Sequence, residues 1–405
     1  MKQNQRLHSM YNTGTIVKKM NNTVTENNLR KNGSPKVLFV IDTLQTGGAE
    51  QSLLNNVIRF KNIQPVVVHL YAGDLLKQQF IDNGIPVYSI GLKKKYGFVQ
   101  AYKQLKQIVQ KEQPALLVAY LTRSELVTRM VGRFNHKPVI GTFVSDLYAE
   151  SYNKSLSFPA KAAVAFFKWA NKITARSCTG FVANSEVVKR SNAEALHIAP
   201  DKVEVINRGR DSKVFRFVIP QHDGRTPLKF FNVGRLVPVK GQQDLVLAFK
   251  EFLAVYENAV LHIAGSGPEK ESLQSLINEL GIQNNVFLLG NRNDVPQIIN
   301  EYDCFVFPSH SEGFSGAIVE AMFAGLPVLA SDIAVNKEVL THLQTGYLFE
   351  KGSVQSITQA LLWFKDNTAT ANALAVKANE HARQNFELEK MAQKLETYLL
   401  NTIIK

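Results

Sequence analysis

Residues 303–332 read DCFVFPSHSEGFSGAIVEAMFAGLPVLASD. The stretch opens on an apolar run rich in aromatic and β-branched residues, 303–308, which reads as a buried strand. A loop of Ser, His and Gly follows, and a helix is expected from near Ser315. A second apolar run at 327–330 reads as another strand. Strand, helix and strand in this order make a βαβ unit, whose strands run parallel because the helix carries the chain back to the starting edge.

The same alternation extends outward through most of the chain. Strand candidates fall at residues 37–42, 65–71, 115–121, 138–144, 180–184 and 203–206, and the series restarts at 228–234, 259–265, 286–290, 303–308, 327–330 and 347–349. The architecture repeats, but the sequence does not. Between the two series lies PQHDGRTP at 220–227, a natural linker, and a helix-rich stretch, 354–405, follows the last strand. The fold class is therefore α/β, with two Rossmann-like domains at 36–215 and 216–384 behind a polar tail, 1–35, expected to be disordered. Open parallel sheets bind ligands beyond the carboxyl ends of their strands, so two such domains facing across a cleft would hold a ligand between them.

Bulk properties fit this division. A chain of 405 residues, 45% hydrophobic and 20% charged, suits two globular domains. Its two cysteines, Cys178 and Cys304, make neither a disulfide framework nor a metal-spaced cluster, so a reducing cytoplasm is expected. No signal-like apolar run occupies the first 34 residues, and no run of about 18 apolar residues predicts a membrane span. The net charge of +13 is uneven: residues 1–215 carry 31 Lys and Arg against 14 Asp and Glu, residues 216–405 carry 16 against 20. That asymmetry suits an anionic partner for the first half, whether nucleic acid, an anionic membrane surface or a phosphorylated substrate. A basic surface that merely keeps the chain soluble is the plainer alternative.

Several turns sit where strands end and helices begin. Gly47 and Gly48 precede a helical stretch at 51–60, where free amides and the helix dipole favour a phosphate; an ordinary glycine turn is equally consistent. Neither G-x-G-x-x-G nor a P-loop is present, which argues against a nicotinamide dehydrogenase or an NTPase. Arg235 and Lys240 flank the turn after the strand at 228–234 and could clamp a diphosphate, or be surface cations. Gly265 and Gly267 stand in Ala-Gly-Ser-Gly-Pro before another helix, suited to close backbone approach or to a tight turn.

Glu312 and Glu320 carry the strongest signal. Glu312 lies in the loop of the opening stretch, and Glu320 more than one turn inside the helix that follows. Phe314, Ser315 and Gly316 would offer free amides at the helix start to an anionic ligand. Glu320 is surrounded in sequence by Ala317, Ile318, Val319, Ala321, Met322 and Phe323, so a solvated helix face is not expected. A carboxylate there needs a partner, either ribose hydroxyls or a local Lys or backbone group. Glycosidases also use two carboxylates, but flanking one bond; a loop Glu and a mid-helix Glu suit two parts of one ligand better. Residues 154–176 are basic and aromatic at helical spacing, consistent with lipid contact or with a half-buried helix packing its Phe and Trp inward.

Together these motifs make the chain resemble the retaining family 4 (group 1) glycosyltransferases, from about residue 36 onward. The resemblance rests on Glu312-Gly-Phe-Ser-Gly-Ala-Ile-Val-Glu320 and the Gly-Leu-Pro-Val that follows. Gly-Arg-Leu-x-x-x-Lys-Gly (234–241), Ala-Gly-x-Gly-Pro (264–268), Tyr-Asp-x-Phe-Val-x-Pro-Ser (302–309) and Gly-Gly-Ala-Glu (47–50) match in the same order. It implies the glycosyltransferase B architecture, with the second domain binding a nucleotide-sugar donor and the first a saccharide or lipid-linked acceptor. The last helix, about 385–405, would return to the first domain. It also implies Arg235 and Lys240 on the donor diphosphate, Glu320 on the ribose and Glu312 by the donor sugar. No metal and no further cofactor are expected, nor is nucleic acid a partner. Transfer in surface-polysaccharide assembly (lipopolysaccharide, capsule or exopolysaccharide), at the inner face of the plasma membrane, is the leading expectation. Transfer to a small soluble acceptor and a catalytically idle binding protein are the alternatives. Two departures stand out. Residues 141–146 read Gly-Thr-Phe-Val-Ser-Asp without the family's His, leaving Ser145 or Asp146 in its place, and the usual Asn-Gly-x-Asp turn reads Arg208-Gly209-Arg210-Asp211.

Overall fold

The computed structural model describes residues 33–93, 97–145, 158–222 and 226–404, with backbone alone for 158–163. The expected disordered tail up to residue 32, Asp146 and part of the linker lie outside the described residues. Thirteen strands are described: β1 (Lys36–Ile41), β2 (Gln64–Tyr71), β3 (Val87–Leu92), β4 (Leu116–Ala119), β5 (Val139–Phe143), β6 (Gly180–Ala183), β7 (Val203–Val205), β8 (Leu228–Val233), β9 (Ala259–Ala264), β10 (Val286–Gly290), β11 (Cys304–Phe307), β12 (Val328–Ser331) and β13 (Tyr347–Phe349). They form a seven-stranded sheet in the order β3-β2-β1-β4-β5-β6-β7 and a six-stranded sheet in the order β10-β9-β8-β11-β12-β13. Pairing is parallel in both. Two parallel-sheet α/β domains are thus present, as the sequence pattern predicts. The one strand the periodicity misses is β3. It sits at a sheet edge and buries only Ile90 and Leu92, so its apolar signal is weak.

By their internal contacts the described residues fall into two compact units. One holds the chain up to Gly141 with residues 177–179 and the end from Glu396; the other holds 142–176 and 180–395. In the first unit, Leu38, Phe39, Val40 and Ile41 are fully buried in β1, as expected for a strand covered on both faces. Just past its end, Asp42 accepts hydrogen bonds from the Ser124 amide and hydroxyl, fixing the start of the helix Thr122–Phe134. Burial nonetheless pushes the Asp42 carboxyl above its usual range.

In the second unit the six-stranded sheet is packed on both faces. Phe230 makes edge contacts with Phe249, Phe252 and Phe364, and its neighbour Phe231 stacks on Tyr302 with centroids 4.1 Å apart. Successive strand residues point to opposite faces, so these two adjacent rings anchor β8 in separate apolar layers. The helices Gly316–Ala324 and Thr368–Asn385 pack together, and the buried Asn379 amide donates to the Met322 and Phe323 carbonyls, at 3.0 Å each. Those carbonyls belong to the last turn of the shorter helix, where Met322 also accepts from the Gly325 amide at 3.2 Å, so the Asn379 amide completes the satisfaction of the helix end.

One buried histidine sets a pH dependence. His69 in β2 places Nδ1 2.9 Å from the Tyr71 carbonyl oxygen, which makes Nδ1 the donor, and its buried Nε2 has no hydrogen-bond partner among the described residues. Burial holds its pKa below the ordinary 6.5. Above that value the ring is neutral in both folded and unfolded chains. As pH falls below it, the unfolded chain takes up the proton more readily and stability is lost. Thermal unfolding at pH 7 and pH 5 is expected to show this loss, and His69→Leu to reduce it. An unchanged pH dependence in the variant would remove His69 as a contributor.

Candidate active site

Strand order decides where the site of the second unit can lie. In β10-β9-β8-β11-β12-β13 the connections from β8 and β11 depart in opposite directions, leaving a crevice beyond the carboxyl ends of these two neighbours. The two loops leaving that point are the ones with the charged motifs, 234–241 after β8 and 308–315 after β11.

The loops are fastened to each other before either reaches a helix. Gly241 takes a left-handed φ of 67°, and a Cβ there would stand 2.3 Å from the Pro308 carbonyl oxygen. The His310 amide donates to the Val239 carbonyl at 2.8 Å, and His310 Nε2 lies 2.6 Å from Asp244 Oδ2. Across this junction Lys240 Nζ is paired with Glu312 Oε1 and lies 5.6 Å from the centre of the Phe307 ring. The Glu312 side chain is only 10% exposed. A carboxylate so far out of water requires a cation, and Lys240 supplies it. Beside Glu312 opens a pocket of about 270 Å³ whose lining includes Val187, His310, Asp332 and Lys351.

Glu320 lies four residues into the helix Gly316–Ala324, and its Oε1 accepts a 2.6 Å hydrogen bond from Arg210 Nε. The partner is therefore neither a local lysine nor a backbone group. It comes from the Arg208-Gly209-Arg210-Asp211 turn, 110 residues earlier. About a quarter of each side chain stays exposed, and the other carboxylate oxygen bonds to no described group. Sequence reasoning found both glutamates but not this pairing. Its only trace was the pair of cations where the family turn has none.

The helix start differs in detail from the expectation. The Gly316 amide donates to the Phe314 carbonyl at 3.0 Å, so it is not free for an anion. The amide groups of Phe314, Ser315 and Ala317 bond to no described group. The Ser315 hydroxyl does not cap the helix; it donates to buried Asn336 Oδ1, while the Asn336 amide donates to the Ser331 carbonyl at 2.8 Å. Ser315 thus fixes the loop between β11 and β12, and Phe314 packs its ring 5.8 Å from that of Phe386.

Arg235 is exposed and forms no ion pair with a described residue, which leaves its guanidinium available to an anion. The two glycines that follow β9 act on the turn it occupies. Gly265 has a φ of 150°, and its Cβ would fall 1.9 Å from the Gly234 carbonyl oxygen; a Cβ on Gly267 would fall 2.1 Å from that of Leu236. Their lack of side chains lets two backbones meet, tied by Leu236 N to Ser266 O at 2.9 Å. In the first unit, Gly47 is the residue before the helix Gly48–Val57, and a Cβ on it would lie 2.4 Å from Glu50 Oε2. Glu50 also accepts from the Thr43 hydroxyl at 3.0 Å, so this turn makes room for the chain's own carboxylate. The Ser145 carbonyl accepts from the Asn192 side-chain amide at 3.2 Å.

With this geometry in hand, comparison with known proteins is decisive. Residues 46–214 match the model of glycosyltransferase family 4, and residues 218–384 that of the glycosyl transferases group 1. The chain belongs to the family 4, group 1 glycosyltransferases. An uncharacterized glycosyltransferase of Methanocaldococcus jannaschii is 44% identical over 103 residues, a quarter of each chain. The UDP-Gal:alpha-D-GlcNAc-diphosphoundecaprenol alpha-1,3-galactosyltransferase of Escherichia coli is 25% identical over 74% of this chain and 79% of its own. Among solved structures, HepE of Anabaena in complex with UDP superposes with a TM-score of 0.77 at 21% identity, covering 90% of this chain and 99% of HepE. The glycosyltransferase thus has the B-type fold that the motifs imply, and no described helix is long and apolar enough to cross a membrane.

The packing of Gly265 yields a direct test. Gly265→Ala adds a Cβ at a strained φ and against a carbonyl, so the substitution is expected to destabilise the glycosyltransferase by about 1–3 kcal/mol. Chemical denaturation measures the loss; a neutral result would mean the Arg235 turn does not depend on this contact.

Proposed function

We propose that this glycosyltransferase transfers a sugar from a nucleotide-sugar donor to a saccharide or lipid-linked acceptor in surface-polysaccharide assembly. The observation that carries the reading is the arrangement at the β8/β11 crevice: two carboxylates, each held by one cation, beside an exposed Arg235 and an amide-bearing helix start. Arg235 and Lys240 meet the donor diphosphate. Glu320 accepts from the ribose hydroxyls, and Glu312 lies by the donor sugar. The second family-matched segment holds the donor and the first the acceptor.

The same residues suit a metal-independent, retaining transfer. As the bond between sugar and phosphate breaks, negative charge grows on the leaving diphosphate, and preorganised cations and amides stabilise charge where it develops. The acceptor hydroxyl attacks from the face the diphosphate leaves, and the leaving phosphate takes its proton, so no carboxylate nucleophile is required. Glu320→Ala is expected to weaken binding of the preferred nucleoside diphosphate at least about tenfold, because a buried hydrogen-bonded hydroxyl pair loses its acceptor. Titration calorimetry with UDP, GDP and ADP reads this directly, and unchanged affinity would refute the assignment.

A lipid-linked acceptor is supported by the E. coli relative, whose acceptor is diphosphoundecaprenol-linked, and by a surface of this chain. In the helix Phe158–Thr174, Phe166, Trp169 and Ile173 are each more than half exposed and share one face by helical spacing. Packing Phe166 and Trp169 into the core, the alternative left open by the sequence, is not what the helix does. Lys168 and Lys172 accompany them, a combination that suits the surface of an anionic membrane. The protein is expected to sediment with phosphatidylglycerol-containing vesicles at low salt, and Phe166→Ser with Trp169→Ser to weaken that binding. Failure of the unaltered protein to sediment would remove the membrane from the proposal.

A further inference from the structure

The contact between Arg210 and Glu320 deepens the donor reading and rests on it. Arg210 is held from both sides. Its amide donates to the Phe386 carbonyl at 2.9 Å, and its carbonyl accepts from the Leu388 amide at 3.0 Å, so the turn is laid against the segment between the last two helices. Gly209 permits this approach, since a Cβ on it would fall 2.6 Å from the Leu388 Cα. From that fixed backbone the guanidinium spends Nε on Glu320 Oε1 and one terminal nitrogen on the Gly209 carbonyl at 3.1 Å. The other terminal nitrogen lies over Gly316, where a Cβ would stand only 1.9 Å from it.

These contacts give the arrangement a direction. A carboxylate on a helix ordinarily samples several rotamers, but the Nε bond fixes one oxygen of Glu320. The second oxygen is then left at a set position, which is what recognition of two neighbouring hydroxyls needs. A guanidinium beside the first residue of a helix is opposed by the helix dipole, so its place there is unfavourable without the carboxylate that holds it. The absence of a side chain at Gly316 is the space that makes the pairing possible. We propose that Arg210 is a positioning residue of the donor site, orienting Glu320 toward the vicinal hydroxyls of the donor ribose through a seat that Gly316 leaves open.

The experiment compares two ligands on the full chain: the tightest binder among UDP, GDP and ADP, and its 2′,3′-dideoxy counterpart. Their affinity ratio isolates the hydroxyl contribution from that of the phosphates and base. The unaltered protein is expected to favour the ribose form by about tenfold or more. Arg210→Ala is expected to lower that ratio at least about fivefold, and Arg210→Lys to restore part of it. Gly316→Ala leaves Arg210 in the chain but fills its seat, and should lower the ratio in the same way; it carries the comparison if Arg210→Ala does not fold. Equal weakening of both ligands in Arg210→Ala would place the guanidinium on the phosphates and overturn the proposal. So would an unchanged ratio in Arg210→Ala when Glu320→Ala collapses it, an outcome that leaves the donor reading standing. An unchanged ratio in Glu320→Ala would instead bring down the donor reading, and the proposal with it.

Discussion

A strand-order reversal is the constraint on which the rest of the site depends. Because β8 and β11 are neighbours whose connections leave to opposite sides, their carboxyl ends open into a crevice that no crossover covers. Two loops emerge there from strands that cannot shift, since Phe230 and Phe231 pin β8 in aromatic layers on its two faces. Rigid strands with short exposed loops are how an α/β sheet turns packing into positional accuracy. The Gly241 and Gly265 contacts extend that rigidity into the loops, because at each a backbone carbonyl occupies the place of a side chain.

What the crevice then requires is charge compensation. A helix as apolar as Gly316–Ala324, with every one of its residues but Ala317 and Glu320 buried, would not retain a carboxylate without a partner. The chain answers with Arg210, and it treats Glu312 similarly with Lys240. Each pair leaves part of the carboxylate or cation reachable, so compensation does not close the site. Asn336 belongs to the same economy: by accepting from Ser315 and donating to Ser331, it locks the loop ahead of the helix without spending a charge.

The fold was largely legible because its signal is redundant. Twelve apolar runs were bounded by turn residues, and buried parallel strands such as β1 read as continuous hydrophobic stretches. Edge strand β3 failed the same test, since its exposed Ser89 and Gly91 break the run. At the site, spacing alone revealed Glu312 and Glu320, because loop and helix are consecutive in sequence. Their partners lie 72 and 110 residues away, and no periodicity connects them. Gly265 and Gly267 suited either close approach to a ligand or a tight turn, and the backbone they admit is that of the Arg235 turn. A glycine reports that something comes close, but not what.

Pairwise compensation also bears on how a donor would enter. Of the cations at the crevice, Lys240 and Arg210 are engaged by carboxylates, whereas Arg235 pairs with no described carboxylate. On the proposed reading, an incoming diphosphate would therefore meet Arg235 and the amides of the helix start first. To use Lys240 it must compete with Glu312, and a double negative charge competes well against a single one at similar distance. Lys240 moving toward the diphosphate would leave Glu312 without its cation, beside the pocket that opens next to it. A mostly buried carboxylate deprived of its cation seeks hydrogen-bond donors, and sugar hydroxyls are such donors. On the proposed reading, the phosphate that draws Lys240 away is thus what prepares Glu312 to hold the sugar, and the two halves of the donor are recognised in sequence by one ion pair.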